Sequence, residues 1–210
     1  MKTIIMVRHG QSETNVLKVF TGQIDAALTD TGREQAQMMA QYLDKYKVDK
    51  IYVSSLSRAL ETAQPIAQRQ NCPVEKRDDL MEINAGLWQG MTFTDIAEKY
   101  PETYRTWKED TANAAPEGGE TCRQLYERAT VVLKEVLEAP EEIVCLVCHA
   151  TTIRMMESYI RCGCAEAAQS ISALPNASVA VYEYDGRFKE IERGSCDFLG
   201  GLCTKLPKTI

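Results

Sequence analysis

Three apolar runs that are continuous rather than alternating, at residues 3–8, 50–55 and 143–148, read as strands buried on both faces of a sheet. A shorter segment, residues 73–76, reads as a further strand, third in chain order, and Leu80–Glu82 follows it. Elsewhere apolar positions recur at helical spacing. Asp30-Thr31-Gly32 opens a helix of about four turns with Ala36, Met39, Ala40 and Leu43 on one face. Ser57 is placed to cap a helix running from about Arg58 to Gln70. Thr121-x-x-Gln124 is a capping box that opens a long helix to about Glu138, with Leu125, Ala129, Val132 and Val136 inward. Residues 151–160 are helical, and residues 178–185 and 187–193 form a hairpin turned at Asp185-Gly186.

Two stretches break the pattern. Residues 10–28 have no period and contain Thr21-Gly22, which predicts a loop or short helix over the end of the first strand. Residues 86–119 are rich in aromatics and turns (Trp88, Phe93, Tyr100-Pro101, Tyr104, Trp107, Pro116–Gly119) and predict an excursion of short helices, a lid insertion. The alternation of strands and helices predicts a three-layer α/β fold. Its sheet is twisted and mostly parallel, with helices on both faces and an antiparallel edge hairpin. A chain of 210 residues suffices for one core, so residues 1–210 are expected to form a single domain that includes the lid.

Composition excludes more than it assigns. A net charge of −6 weighs against a nucleic-acid partner or an anionic membrane surface, although a local arginine cluster can still bind a small anion. No apolar run reaches the roughly 20 residues of a membrane span, and the N-terminus lacks the pattern of a signal peptide. A cytoplasmic location is therefore expected, with the eight cysteines reduced. Cys145-x-x-Cys148 and Cys162-x-Cys164 have the spacing of metal pairs. Residues three apart on a strand point to opposite faces, however, so Cys145 and Cys148 are expected to be small buried thiols.

The candidate chemistry lies at strand ends. In open α/β sheets ligands bind beyond the carboxyl ends of the strands. Arg8-His9 ends the first strand, Arg58 follows the second, Glu82 the third, and His149 the fourth. Taken singly, either histidine reads as a satisfied core residue, Glu82 as a solvated loop carboxylate and Arg58 as a surface residue, though a cation disfavours a helix N-terminus. Together they fit phosphoryl transfer. Arginines clamp the equatorial oxygens, a neutral imidazole is a competent nucleophile, and a second imidazole, if protonated, donates to the same oxygens. A carboxylic acid in an apolar setting can protonate the leaving group, and Glu82 has Leu80, Met81, Ile83 and Trp88 as neighbours in sequence. None of this chemistry needs a metal or cofactor.

At these residues the chain resembles the histidine phosphatase superfamily, also called phosphoglycerate-mutase-like. The resemblance covers essentially the whole chain. It rests on V-R-H-G at 7–10 with Asn15, T-G-Q-x-D at 21–25 with L-T-x-x-G at 28–32, S-x-x-x-R-A-x-E-T-A at 54–63, M-E-I-N-A-G-L-W-Q-G at 81–90, and His149, all in the family's order. It implies that His9 is the phosphorylated nucleophile and Glu82 the proton donor. Arg8, Arg58, His149, Asn15, Thr21, Gly22 and the backbone of Ala150 would form the phosphate pocket. Two departures stand out: Gln11-Ser12 where Glu-Thr or Glu-Ser is common, and Ala150 where glycine is usual. The short G-x-W-x-G form resembles the phosphatase branch. Lys99, Arg105 and Lys108 do not reproduce the adjacent arginine pair with which mutases grip a second phosphate. The expected function is hydrolysis of a small phosphorylated metabolite by a monomer or homodimer. The alternatives are a bisphosphoglycerate-dependent mutase and a non-catalytic binder of phosphorylated ligands.

Overall fold

In the computed structural model, residues 1–204 are described; the last residues of the expected 1–210 span, 205–210, lie outside them. In chain order the elements are β1 (Lys2–Arg8), α1 (Glu13–Leu17), α2 (Asp30–Tyr42), β2 (Lys50–Ser54), α3 (Ser57–Gln70), β3 (Val74–Arg77), α4 (Phe93–Lys99), α5 (Pro101–Glu109), α6 (Cys122–Glu138), β4 (Ile143–Cys148), α7 (Ala150–Cys162), β5 (Val179–Tyr184) and β6 (Phe188–Ser195). The sheet order is β3-β2-β4-β1-β5-β6. The first four of these strands are mutually parallel, and β5 and β6 are antiparallel at one edge. This is the three-layer α/β fold that the pattern predicts.

The continuous apolar runs are explained by two-sided burial. Ile4, Met6, Val144, Leu146 and Cys148 face a core built with α6 and α7. Ile5, Val7, Ile51, Val53, Cys145 and Val147 face a second core built with α2 and α3. Cys145 and Cys148 therefore point to opposite faces of the sheet, as the strand period requires.

The register sets up everything that follows. Arg8 lies beside Cys148, and the His9 N–H donates to the Cys148 carbonyl at 3.1 Å. His9 and His149 thus leave the sheet side by side from adjacent parallel strands.

Two expectations need correction. Ser57 does not cap α3: it is the first helical residue, and Leu56 holds the cap position without a side-chain bond. The cap comes from outside the helix, where the Asp25 carboxylate accepts the Ser57 N–H at 2.7 Å and its hydroxyl at 2.9 Å. The cysteines are not all free thiols, because Cys196 and Cys203 form a disulfide. A 3₁₀ stretch at Asp197–Leu202 folds the chain back and brings their Cα atoms to 6.1 Å, within disulfide range.

Candidate active site

The L-T-x-x-G and R-H-G motifs meet as backbone against backbone. A Cβ on Gly10 would lie 2.5 Å from the Gly32 carbonyl oxygen. Gly10 also donates its N–H to the Thr62 hydroxyl at 3.0 Å, and that hydroxyl donates to the Arg58 carbonyl at 2.7 Å. The turn carrying His9 is therefore fixed by α2 on one side and by the first turns of α3 on the other.

His9 is held in one tautomer. Its Nδ1 is 2.7 Å from the Gly10 carbonyl oxygen, which can only accept, so Nδ1 carries the hydrogen. The Nε2 lone pair accepts from Arg58 Nε at 3.2 Å, and the same Arg58 N–H is shared with His149 Nδ1, also at 3.2 Å. His149 completes its bonding through Nε2, 2.7 Å from the Ser54 hydroxyl. The ring centroids stand 5.1 Å apart. Burial, and then the charges of Arg58 and Arg8, hold the His9 pKa well below 6.5. Burial, then Arg58, His9 and Arg8, do the same to His149. Both imidazoles are neutral, so the protonated second imidazole considered above is not the resting form of His149.

The two arginines are buried cations. Arg58 is 1% exposed, not on the surface, and its Nη1 and Nη2 donate to the carbonyls of Ile24 and Gly22, each at 2.8 Å. Those bonds shape the 21–25 loop. Gly22 sits there at φ +54, and a Cβ would lie 2.5 Å from Gln89 Oε1. Arg8 donates through Nη1 to the Leu174 carbonyl, while its buried Nε has no acceptor among the described residues. Burial lowers each guanidinium pKa to about 10, so both stay charged at neutral pH.

Asn15 Oδ1 accepts from the Ser12 N–H, the Ser12 hydroxyl and Asn176 Nδ2, and its amide NH2 has no acceptor among the described residues. Thr21 donates its hydroxyl to that of Thr14 at 2.8 Å. Glu82 is buried, but its carboxylate is not in a purely apolar setting. Oε1 accepts the Ile83 N–H at 3.0 Å, and Oε2 accepts the Thr151 N–H at 3.1 Å in the first turn of α7.

A cavity of about 390 Å³ opens over these groups. Arg8, His9, Asn15, Thr21, Gly22, Arg58, Glu82 and Ala150 all line it. His149, 0% exposed, lies behind His9 and Arg58 and does not. Phe20, Phe93 and Trp107 form an aromatic wall, so the 86–119 excursion borders the site.

Sequence reasoning missed Asn176, which lines the cavity and bonds Asn15, and Lys18, the one further cation of the lining among the described residues. It quoted Ser54 and Thr62 within a motif without giving either a role. The only signal for Asn176 is its place in a Pro-Asn turn before β5. Charged guanidinium groups, an unpartnered donor and a lone-pair nitrogen converging on one cavity suit a small dianion.

Residues 4–197 match the family model described as "Histidine phosphatase superfamily (branch 1)". Phosphoserine phosphatase 1 of Hydrogenobacter thermophilus is 37% identical over 157 residues, 74% of this chain and 74% of that protein. Phosphoglycerate mutase-like protein 4 of Arabidopsis thaliana is 33% identical over 188 residues, 87% of this chain and 80% of that protein. Among solved structures, a mycobacterial glucosyl-3-phosphoglycerate phosphatase in complex with VO3 superposes with a TM-score of 0.86 at 28% identity, covering 93% of this chain and 100% of that one.

Proposed function

The chain belongs to the histidine phosphatase superfamily, and from that premise we propose that it is a metal-independent phosphomonoesterase acting on a small phosphorylated metabolite. The observation that carries this reading is the His9 imidazole: Nδ1 is pinned to a carbonyl, so Nε2 carries the lone pair, and the ring lines a cavity together with two guanidinium groups.

In the first step His9 Nε2 attacks phosphorus. The P–N bond forms, the ester P–O bond breaks, and the Glu82 carboxyl gives its proton to the leaving oxygen. Water then attacks the phosphohistidine and gives its proton to the Glu82 carboxylate. A new P–O bond forms, and the P–N electron pair returns to Nε2. Arg8 and Arg58 hold the equatorial oxygens throughout, where charge spreads during transfer. The Asn15 amide and the N–H of Ala150 in the first turn of α7 supply further donors.

The cavity supports hydrolysis over mutase chemistry. Among the described residues its lining cations are Arg8, Arg58 and Lys18, and Lys99, Arg105 and Lys108 of the excursion are not among them. The second reading, a bisphosphate-dependent mutase, rests on the mutase-like plant relative.

One assay separates the readings: release of phosphate from p-nitrophenyl phosphate with EDTA present, beside 3-phosphoglycerate with and without 2,3-bisphosphoglycerate. EDTA-resistant hydrolysis indifferent to the bisphosphate is expected, with less than about a percent remaining in His9→Ala, since loss of a nucleophile is not recovered by its neighbours. Isomerisation switched on by the bisphosphate would make the protein a mutase. Vanadate binding without turnover would make it a binder.

A further inference from the structure

Glu82 carries the proton in the mechanism above, yet no ladder holds its backbone. Residues 81–85 have no regular structure. Carbonyls in such a segment must find partners elsewhere. One side chain supplies them. Arg128, on α6, donates through Nη1 to the carbonyls of Asp79 at 2.9 Å and Met81 at 2.7 Å, and through Nη2 to that of Glu82 at 2.9 Å. Its remaining hydrogens go to Glu120, from Nε to Oε2 at 3.0 Å and from Nη2 to Oε1 at 2.6 Å. All five guanidinium N–H groups are therefore used within the protein.

Glu120 closes the bracket from the other side. Its Oε1 also accepts the Asn84 N–H at 2.7 Å, and its own N–H donates to the Asn84 carbonyl at 2.8 Å. The backbone around Glu82 is gripped at positions 79, 81, 82 and 84 by one ion pair. A third tie reaches the phosphate loop: Gln23 Nε2 donates to the Glu82 carbonyl at 3.0 Å, while the Gln23 N–H donates to Gln89 Oε1 at 2.8 Å.

We propose that Arg128, buttressed by Glu120, is a positioning residue for the proton donor: it fixes the Glu82 backbone relative to the phosphate pocket and thereby sets proton delivery to the leaving group. A direct ligand role does not fit a guanidinium with no free donor that does not line the cavity. A purely structural role would leave the leaving group irrelevant. The proposal rests on the phosphatase reading and sharpens it, because positioning of an acid matters only where the departing oxygen needs a proton. An alkyl alkoxide does; p-nitrophenolate does not.

The test is kcat on p-nitrophenyl phosphate and on an alkyl phosphate such as glycerol phosphate, for the wild type, Arg128→Met and Arg128→Lys, with melting temperatures beside them. A displacement near 1 Å costs an acid step roughly a hundredfold. Arg128→Met is therefore expected to lose at least about tenfold more rate on the alkyl ester than on the aryl ester. Arg128→Lys, which keeps the charge and can serve three acceptors at most, should fall between. Should Arg128→Met not fold, Arg128→Lys is read by the same ratio. Equal losses on the two esters, or none, overturn the positioning role. A wild type that hydrolyses neither ester overturns the phosphatase reading itself, a result distinct from an active wild type whose variants show no leaving-group selectivity.

Discussion

Gly32→Ala is the sharpest test of how the fold holds His9. An ideal Cβ at Gly32 would stand 2.0 Å from the Gln11 carbonyl oxygen, 2.9 Å from its carbon and 3.0 Å from the Gln11 nitrogen. All three are backbone atoms, so no flexible side chain can yield. Ordinary contact begins near 3.4 Å, so α2 and the segment after His9 must part by about 1.4 Å. Gly32 lies inside α2, where alanine would otherwise gain about 1 kcal/mol of helix propensity. Overpacking opposes this with about 1–3 kcal/mol, at the upper end when the obstacle is backbone. The balance is a destabilisation on the order of 1–2 kcal/mol, or a Tm lower by roughly 2–8 °C for a chain of this size. Activity should fall further than stability, because the shift propagates to His9, and an error near 1 Å costs roughly a hundredfold. The assay is thermal melting beside kcat/KM on p-nitrophenyl phosphate, with Gly201→Ala as control, since a Cβ there meets nothing within 4 Å. A Gly32→Ala protein that melts with the wild type and keeps its kcat/KM would refute the close-approach argument.

Further outcomes follow from the electrostatics. Both histidines are held well below 6.5, so His9 keeps its lone pair in mildly acid solution. For p-nitrophenyl phosphate, whose leaving group needs no acid, the kcat/KM profile should stay level down to about pH 6, where the second phosphate ionisation enters; an acid limb set by an enzyme group titrating at or above 6.5 would contradict a neutral His9. The same shifts carry a stability sign. The unfolded chain takes up protons on these imidazoles near pH 6.5 while the folded chain does not, so stability falls as pH drops below that value, and denaturant titrations of His149→Gln should show a shallower fall than the wild type. Lys18 lines the cavity and makes no ion pair among the described residues. Lys18→Met should lower kcat/KM for a carboxylate-bearing probe, 3-phosphoglycerate, relative to glycerol phosphate by about two- to fivefold, the value of one exposed charge pair; an unchanged ratio would remove Lys18 from substrate selection.

What the sequence makes legible here is periodic or punctuated. The buried runs at 3–8, 50–55 and 143–148 announce parallel strands because both sheet faces demand apolar side chains, and parallel strands bring their chemistry to one edge. What stays hidden depends on pairings between distant residues. Ser57 looks like a cap because its type is right, but Asp25 takes the position through a loop that Arg58 itself folds by binding Gly22 and Ile24. Glu82 looks apolar in its neighbours, yet it receives the Thr151 N–H from α7, 69 residues further along. Asn176 is invisible because its role is to bond Asn15, 161 residues away. The Cys196–Cys203 pair escapes for a different reason: nothing in the spacing marks the 3₁₀ stretch that folds the chain back.

Arg58 shows why the site works only as a set. A guanidinium in the first turn of a helix, 1% exposed, opposes both the helix dipole and its own desolvation. Two carbonyls and two imidazole lone pairs offset part of that cost, and none of the four carries a formal charge. The arrangement keeps both histidines neutral, because a cation sharing one N–H between two ring nitrogens disfavours a proton on either. It also leaves unneutralised positive charge beside Arg8 in a buried cavity, where electrostatic attraction is stronger than in water. A phosphate dianion entering that cavity relieves the arginines.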